Sequence, residues 1–180
     1  EPVGSGFSAF HELQAIVLDH ALAYGHAPQV LRQRAEDIDI ESQFDFCFSI
    51  NVMEHVDDFD LTIRRVVMAL RKSSVYRFVC PNYLFPYEPH FNILAFPSKT
   101  LTGKLMRRWI STSTRVYDPE GLWASLNWIS VPQVRRAVRV LPYARIRFHH
   151  EILRDAFERV VDDEQFAARR SPWVRRIVAL

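Results

Sequence analysis

Phe44-Asp-Phe-Cys-Phe-Ser-Ile-Asn-Val-Met-Glu-His-Val56, with Cys80-Pro-Asn-Tyr83 downstream of it, is the stretch on which the fold turns. Phe44 to Ile50 is nearly all apolar, the pattern of a short strand covered on both faces. It runs into a polar turn that holds Asn51, Glu54 and His55. Phe59, Ile63, Val66, Val67 and Leu70 then recur at helical spacing and predict a crossover helix near Asp60–Lys72. Val75 to Cys80 reads as the next strand, and Asn82 and Tyr83 follow in a second polar turn. Strand, helix and strand at this spacing fit one right-handed βαβ unit with a parallel pair of strands. In open α/β sheets ligands bind beyond the carboxyl ends of the strands, so both turns are where chemistry is expected.

Outward from this unit the chain alternates in the same manner. Ser8 is a suitable N-cap for a helix to about Tyr24, stopped by Gly25, and Gln29–Arg34 reads as a short strand. Residues from Tyr83 to about Pro97 are rich in proline and aromatics and read as a long ordered loop. Helices are expected over about Ser98–Trp109, Pro119–Trp128 and Pro132–Val140. A strand near Arg145–His149 and two terminal helices complete an α/β domain. The expected division of residues 1–180 is a core over 1–82, a substrate loop and helical cap over about 83–142, and a C-terminal strand and helices over 143–180.

The bulk properties fit one soluble domain: 180 residues, 48% hydrophobic and 24% charged, with a net charge of +2. No apolar run approaches the roughly 20 residues that cross a bilayer. Cys47 and Cys80 both fall in core strands and are expected to be reduced thiols, which points to the cytoplasm. Positive charge gathers late, in Arg135, Arg136 and Arg139 and again in Arg169, Arg170, Arg175 and Arg176. Two readings stand for it. One is a patch for nucleic acid, an anionic lipid surface or a phosphorylated substrate; the other, favoured, is a solvated helix face offset by Glu151, Asp155, Glu158, Asp162, Asp163 and Glu164. No nucleic-acid partner is expected.

There is no Ser-His-Asp constellation and no Cys-x-x-Cys. Three roles suit His55: a general base, because imidazole titrates near neutral pH; a metal ligand beside Glu54; or a cap of its own turn. Tyr83, Tyr87, Glu88 and His90, in a loop stiffened by prolines, are candidates for an acceptor pocket, and a hydrophobic lid is the competing reading. Glu36 and Asp37 read as a solvated turn or as a ligand-facing one. His149 and His150 read as structural.

The order Phe-Asp…Ser…Asn-Val…Glu-His-Val, with Cys80-Pro-Asn-Tyr83, resembles the catalytic half of class I S-adenosylmethionine-dependent methyltransferases of the type 11 kind. The likeness covers Glu1 to about Ile93. It implies a partial doubly wound, Rossmann-like methyltransferase sheet with added C-terminal helices, S-adenosylmethionine as cofactor, and methyl transfer to a small-molecule or lipid- or sugar-linked acceptor. Residue by residue it implies that Glu1 holds the ribose, that Ala35, Glu36 and Asp37 meet the adenine, and that Ser49, Ile50 and Asn51 lie under the methionine portion. His55 and Glu54 become the catalytic pair, and Asn82, Tyr83, Tyr87, Glu88 and His90 the substrate residues. The Glu-His turn is similar to that of the ubiquinone-biosynthesis O-methyltransferases, which recruit a divalent cation. They add an upstream carboxylate in the region where this chain has Asn51, so no metal is expected here. Arg71-Lys-Ser-Ser74 replaces the family's Pro-Gly-Gly type of turn, at the end of the sheet away from the cofactor.

Gly4 and Gly6 invite reading as the cofactor's glycine loop, but the spacing opposes it. Two βαβ units of roughly 30 residues each belong between that loop and Phe44, and the interval is too short for them. Glu1 fits better at the end of the family's second strand, so the expectation is a domain incomplete at its N-terminus. In the family's order the absent strands lie inside the sheet, and their loss would expose an edge. The competing function is a non-catalytic methyltransferase-like interaction domain or inactive fragment.

Overall fold

In the computed structural model, residues 8–168 are described, together with Arg170, Pro172, Arg175 and Arg176. Glu1, Gly4 and Gly6 lie outside them, and so do the expectations placed on those residues. Among the described residues the architecture is mixed α/β, with seven α-helices and one two-stranded parallel sheet. The helices are α1 (Ser8–Ala23), α2 (Phe59–Ala69), α3 (Lys99–Ser111), α4 (Pro119–Ser125), α5 (Val131–Arg139), α6 (Glu151–Asp162) and α7 (Glu164–Ala168), and the strands are β1 (Phe44–Ile50) and β2 (Leu70–Val79).

The βαβ unit forms as the spacing predicts. β1 and β2 pair in parallel, with Phe46 opposite Val75 and Ile50 opposite Val79. Helix α2 connects them. Its N-cap is Asp58, whose Oδ1 accepts from the Leu61 amide at 2.9 Å, and its apolar stripe of Phe59, Ile63 and Val66 is buried. The helix is shorter than expected, ending at Ala69, and Arg71 and Lys72 belong to β2. The chain leaves the helix directly into the strand. It absorbs the change of direction as a bulge between the Phe44–Leu70 and Phe46–Val75 pairs, with Ser73 at a φ of +67°.

Burial of β1 corrects the sequence reading. Phe46, Phe48 and Ile50 share one face of the sheet and are 54%, 68% and 60% exposed, whereas covering on both faces was expected. Only the opposite face is packed. There Tyr76 and Phe78 meet Met53, Val56, Phe59 and Ile63, with Val134, Ala137 and Leu141 from α5 and the turn after it. A second core gathers Tyr83, Phe91, Ile93, Ile110 and Leu126 under α3 and α4, flanked by Trp123 and Trp128. Helix α1 also exposes apolar side chains, among them Leu13, Ile16 and Val17.

Other corrections are local. Gln29–Arg34 and Arg145–His149 form no strand. Ile146 and Phe148 do alternate with arginines. Phe148, however, packs on the α5 core and lies beneath the Arg135 guanidinium, 5.2 Å from its ring centre. Helix α4 stops at Ser125 rather than near Trp128. The segment after it is extended, then reverses at Trp128, whose φ is +55°. Among the described residues no helix is long and apolar enough to cross a membrane.

Candidate functional site

The site lies at the carboxyl end of β1, where both cores meet. The chain leaves β1 through Asn51 in a left-handed conformation, φ +54°, and enters a short 3-10 turn, Met53–His55. Met53 points into the first core, and Glu54 is wholly buried beside it. Asn127 clasps this turn. Its backbone N–H donates to the Glu54 carbonyl at 2.8 Å, and its side-chain amide donates to the carbonyls of Met53 and Val56, each at 2.8 Å. One residue thereby satisfies three carbonyls that a tight turn leaves unpaired.

Glu88 organises the facing loop. Its backbone bridges Ile93; its Oε2 accepts from the Phe91 amide at 2.7 Å, and its Oε1 lies 2.5 Å from His90 Nδ1. A carboxylate only accepts, so Nδ1 carries a hydrogen, and in the neutral ring the lone pair is on Nε2. That Nε2 is 4.0 Å from Glu54 Oε1. His55 is arranged in the same way. Its Nδ1 is 2.9 Å from Ser125 Oγ. The Ser125 hydroxyl hydrogen is given to the Leu122 carbonyl at 2.8 Å, so Oγ accepts from Nδ1 and the His55 lone pair is also on Nε2. The two rings stand edge to face, 5.4 Å between centres. One ligand atom each from Glu54, His55 and His90 falls within 4.8 Å of the others.

Burial sets the electrostatics. It pushes the Glu54 carboxyl above its ordinary value, with the nearby Glu88 charge adding to it, and among the described residues neither Glu54 oxygen has a hydrogen-bond partner. It lowers His55 to about 4, helped by the His90 charge. For His90 burial acts the same way, but the hydrogen bond and charge of Glu88, with the charge of Glu54, outweigh it and hold His90 above its ordinary value. Cys80, close by, is pushed up to about 12 by burial and the Glu54 charge. His55 is therefore neutral at physiological pH, with its ring lone pair unprotonated and of reduced basicity.

The structure thus brings Glu54, His55, Glu88 and His90 together, with Tyr83 buried beside them. It does not place the remaining expected residues in this cluster. Tyr87 donates its hydroxyl to Asn92 at 2.7 Å within its own loop. Asn82 is exposed and accepts from the Leu84 amide. Ser49 faces the packed side of the sheet, 2.8 Å from the Tyr76 hydroxyl, while Ile50 and Asn51 are exposed. Ser125 and Asn127 complete the site and were not anticipated, because their contacts span 70 to 74 residues and no local pattern signals them.

Ala35, Glu36 and Asp37 form a 3-10 turn against α2. Asp37 is exposed, whereas Glu36 is 8% exposed. The Glu36 Oε1 accepts from the amides of Asp57 at 2.7 Å and Asp58 at 3.1 Å, and Arg34 pairs with it at 3.7 Å. This carboxylate holds the entry to α2 rather than facing a ligand. Burial opposes its charge, but the backbone hydrogen bonds, aided by Arg34, win and keep its pKa below the ordinary 4.5. Glu36→Gln is expected to cost about 1–3 kcal/mol of stability at neutral pH. Because the folded pKa is depressed, the wild-type advantage is complete above 4.5 and fades as the pH falls through the lowered value. Urea unfolding of both proteins across that range checks it, and a constant difference down to strongly acid pH would contradict the assignment.

Two curated relatives, both uncharacterized proteins of Mycobacterium tuberculosis, from strain H37Rv and strain CDC 1551 / Oshkosh, are each 47% identical over 174 residues. The match takes in 97% of this chain and 58% of either relative, so the chain spans somewhat under three fifths of their length. No protein-family model matches the chain, and no solved structure does.

Proposed function

We propose that the protein to which this chain belongs transfers a methyl group from S-adenosylmethionine to a small-molecule acceptor, on a Rossmann-like sheet of which β1, α2 and β2 are one unit. The observation that carries this reading is the cluster of Glu54, His55, Glu88 and His90 at the carboxyl edge of a parallel βαβ unit, where such folds do chemistry. The resemblance in the order of residues supplies the reaction class.

The residues fit the acceptor side of such a site and part of its cofactor side. Asn51, exposed and left-handed, stands at the strand end beside exposed Ile50 and Val52, which offers an amide and apolar surface to a nucleoside. Glu36 is committed elsewhere, which leaves Asp37 as the exposed acid of its turn. When bound, S-adenosylmethionine supplies a methyl on a sulfonium: the acceptor's lone pair forms the new bond, and the old bonding pair stays on sulfur as a thioether. The chain's part is to position the acceptor against the two imidazoles, exclude water through Tyr83 and the Pro81–Pro97 loop, and take up the acceptor's proton at the cluster. The free thiols of Cys47 and Cys80 support a reducing compartment such as the cytoplasm, and the exposed arginines of α5 suit contact with an anionic membrane surface.

Calorimetric titration of S-adenosylmethionine tests the reading, on this 180-residue chain and on a form as long as its relatives. Binding is expected in the longer form and weak or no binding in the shorter. A longer form that does not bind would remove the proposal. A second reading, a methyltransferase-like module that binds a partner and does no chemistry, draws on the exposed apolar face of Phe46, Phe48 and Ile50. It predicts no cofactor binding at any length.

A further inference from the structure

We propose that Glu54, His55 and His90 form a binding site for one divalent transition-metal ion, with Glu88 and Ser125 as its outer shell. Three observations converge on it. Glu54 is wholly buried, yet among the described residues both of its carboxylate oxygens lack a hydrogen-bond partner. A buried carboxylate left in that state is costly, and a cation is one of the few things that offsets it. Each imidazole is also fixed through Nδ1 by an acceptor, His90 by Glu88 at 2.5 Å and His55 by Ser125 at 2.9 Å. Both therefore carry their lone pair on Nε2, the arrangement in which metal-ligating histidines are held and oriented by an outer shell. Finally, the three side chains already offer ligand atoms within 4.8 Å of one another, so a modest inward movement reaches coordination distances near 2 Å.

The donor set decides the kind of ion. Two neutral nitrogens and one carboxylate suit zinc and its neighbours in the first transition row. They do not suit magnesium or calcium, which require shells of oxygen. Three protein ligands leave a coordination position open, as in catalytic rather than structural zinc sites. His90 has a side chain 22% exposed, so the site opens to solvent on that side. The sequence reading expected no metal because Asn51 stands where related enzymes carry a carboxylate. The third ligand comes instead from the loop after β2, which no turn motif around residue 51 would reveal. This inference stands apart from methyl transfer, since it needs only the three side chains.

The test is direct binding. The tag-free 180-residue chain is stripped with chelator and titrated with Zn²⁺ by competition against a chromophoric chelator, and with Co²⁺ by its visible absorption. One ion per chain is expected for either metal, without competition from Mg²⁺. Glu54→Gln, which keeps the buried shape, and His90→Ala should each abolish stoichiometric binding. Glu88→Gln should weaken it about tenfold to a hundredfold. His149→Ala, which breaks an exposed His–Glu contact of similar length, 2.6 Å to Glu151, should change nothing. Should one ligand variant fail to fold, by its far-ultraviolet circular dichroism, the other and Glu88→Gln decide. Absence of stoichiometric Zn²⁺ and Co²⁺ binding by the wild-type chain would overturn the proposal. So would equal affinity in the wild type and the folded variants. Neither result bears on cofactor binding, which is measured separately.

Discussion

His55→Ala is expected to lower methyl-transfer turnover by about a hundredfold or more, while leaving the affinity for S-adenosylmethionine unchanged. His55 lies at the strand-end turn, its Nδ1 hydrogen given to Ser125 and its lone pair on Nε2, the atom that would meet the acceptor or a cation bound to it. Alanine removes that lone pair without touching the turns that would hold adenine and ribose. Burial lowers the imidazole to about 4, so the loss should be nearly the same at every pH from 6 to 9, with no inflection near 6.5 (working range about neutrality). Initial rates and calorimetry on the longer form provide the check. Unchanged turnover would return His55 to capping its own turn.

The second large effect is structural. Tyr83→Ala should cost about 3–5 kcal/mol, the range for emptying an aromatic site in a core. Tyr83 is 1% exposed, stacks on Trp128 with 4.1 Å between ring centres, and donates its backbone N–H to Ile129 at 2.9 Å. Tyr83→Phe should behave quite differently. Among the described residues the buried Tyr83 hydroxyl makes no hydrogen bond of good geometry, and burial, with the Glu88 carboxylate beside it and the Glu54 charge, holds it firmly protonated. Losing it should be neutral or slightly stabilising in chemical denaturation. If activity falls in Tyr83→Phe while stability holds, the hydroxyl meets the acceptor, as the substrate assignment from sequence had it. If both are unchanged, Tyr83 is a packing residue.

What the sequence revealed and concealed follows from the range of the interactions. β1, α2 and the parallel pairing were legible because Phe59, Ile63 and Val66 repeat at helical spacing and the apolar run Phe44–Ile50 admits few other readings. That same run misled about burial. A strand with one apolar face open, carrying Phe46 and Phe48, has the same composition as one covered on both sides. The strand expected at Arg145–His149 failed because alternation alone does not supply a neighbour to pair with, and Phe148 found the α5 core instead. Glu54, His55 and His90 were each identifiable as polar residues at strand-end turns, yet the geometry joining them was not. From sequence Glu36 stood between a solvated turn and a ligand-facing one because the amides it serves, those of Asp57 and Asp58, lie 21 and 22 residues away. Asn127 was overlooked for the same reason, at greater distance.

The Asn127 clasp has a consequence for how the chain reaches its final form. The strand-end turn is held by a residue 71 to 74 positions later in sequence, and His55 by one 70 positions later. Closing so long a loop is entropically slow compared with zipping a helix. The βαβ unit and α3 can assemble from nearer contacts, and the arrangement of Glu54 and His55 then waits for the segment after α4 to arrive. During synthesis it cannot form until the ribosome has released residue 127. The constellation is therefore a late product of folding, and protection of the Asn127 amide against hydrogen exchange marks its completion.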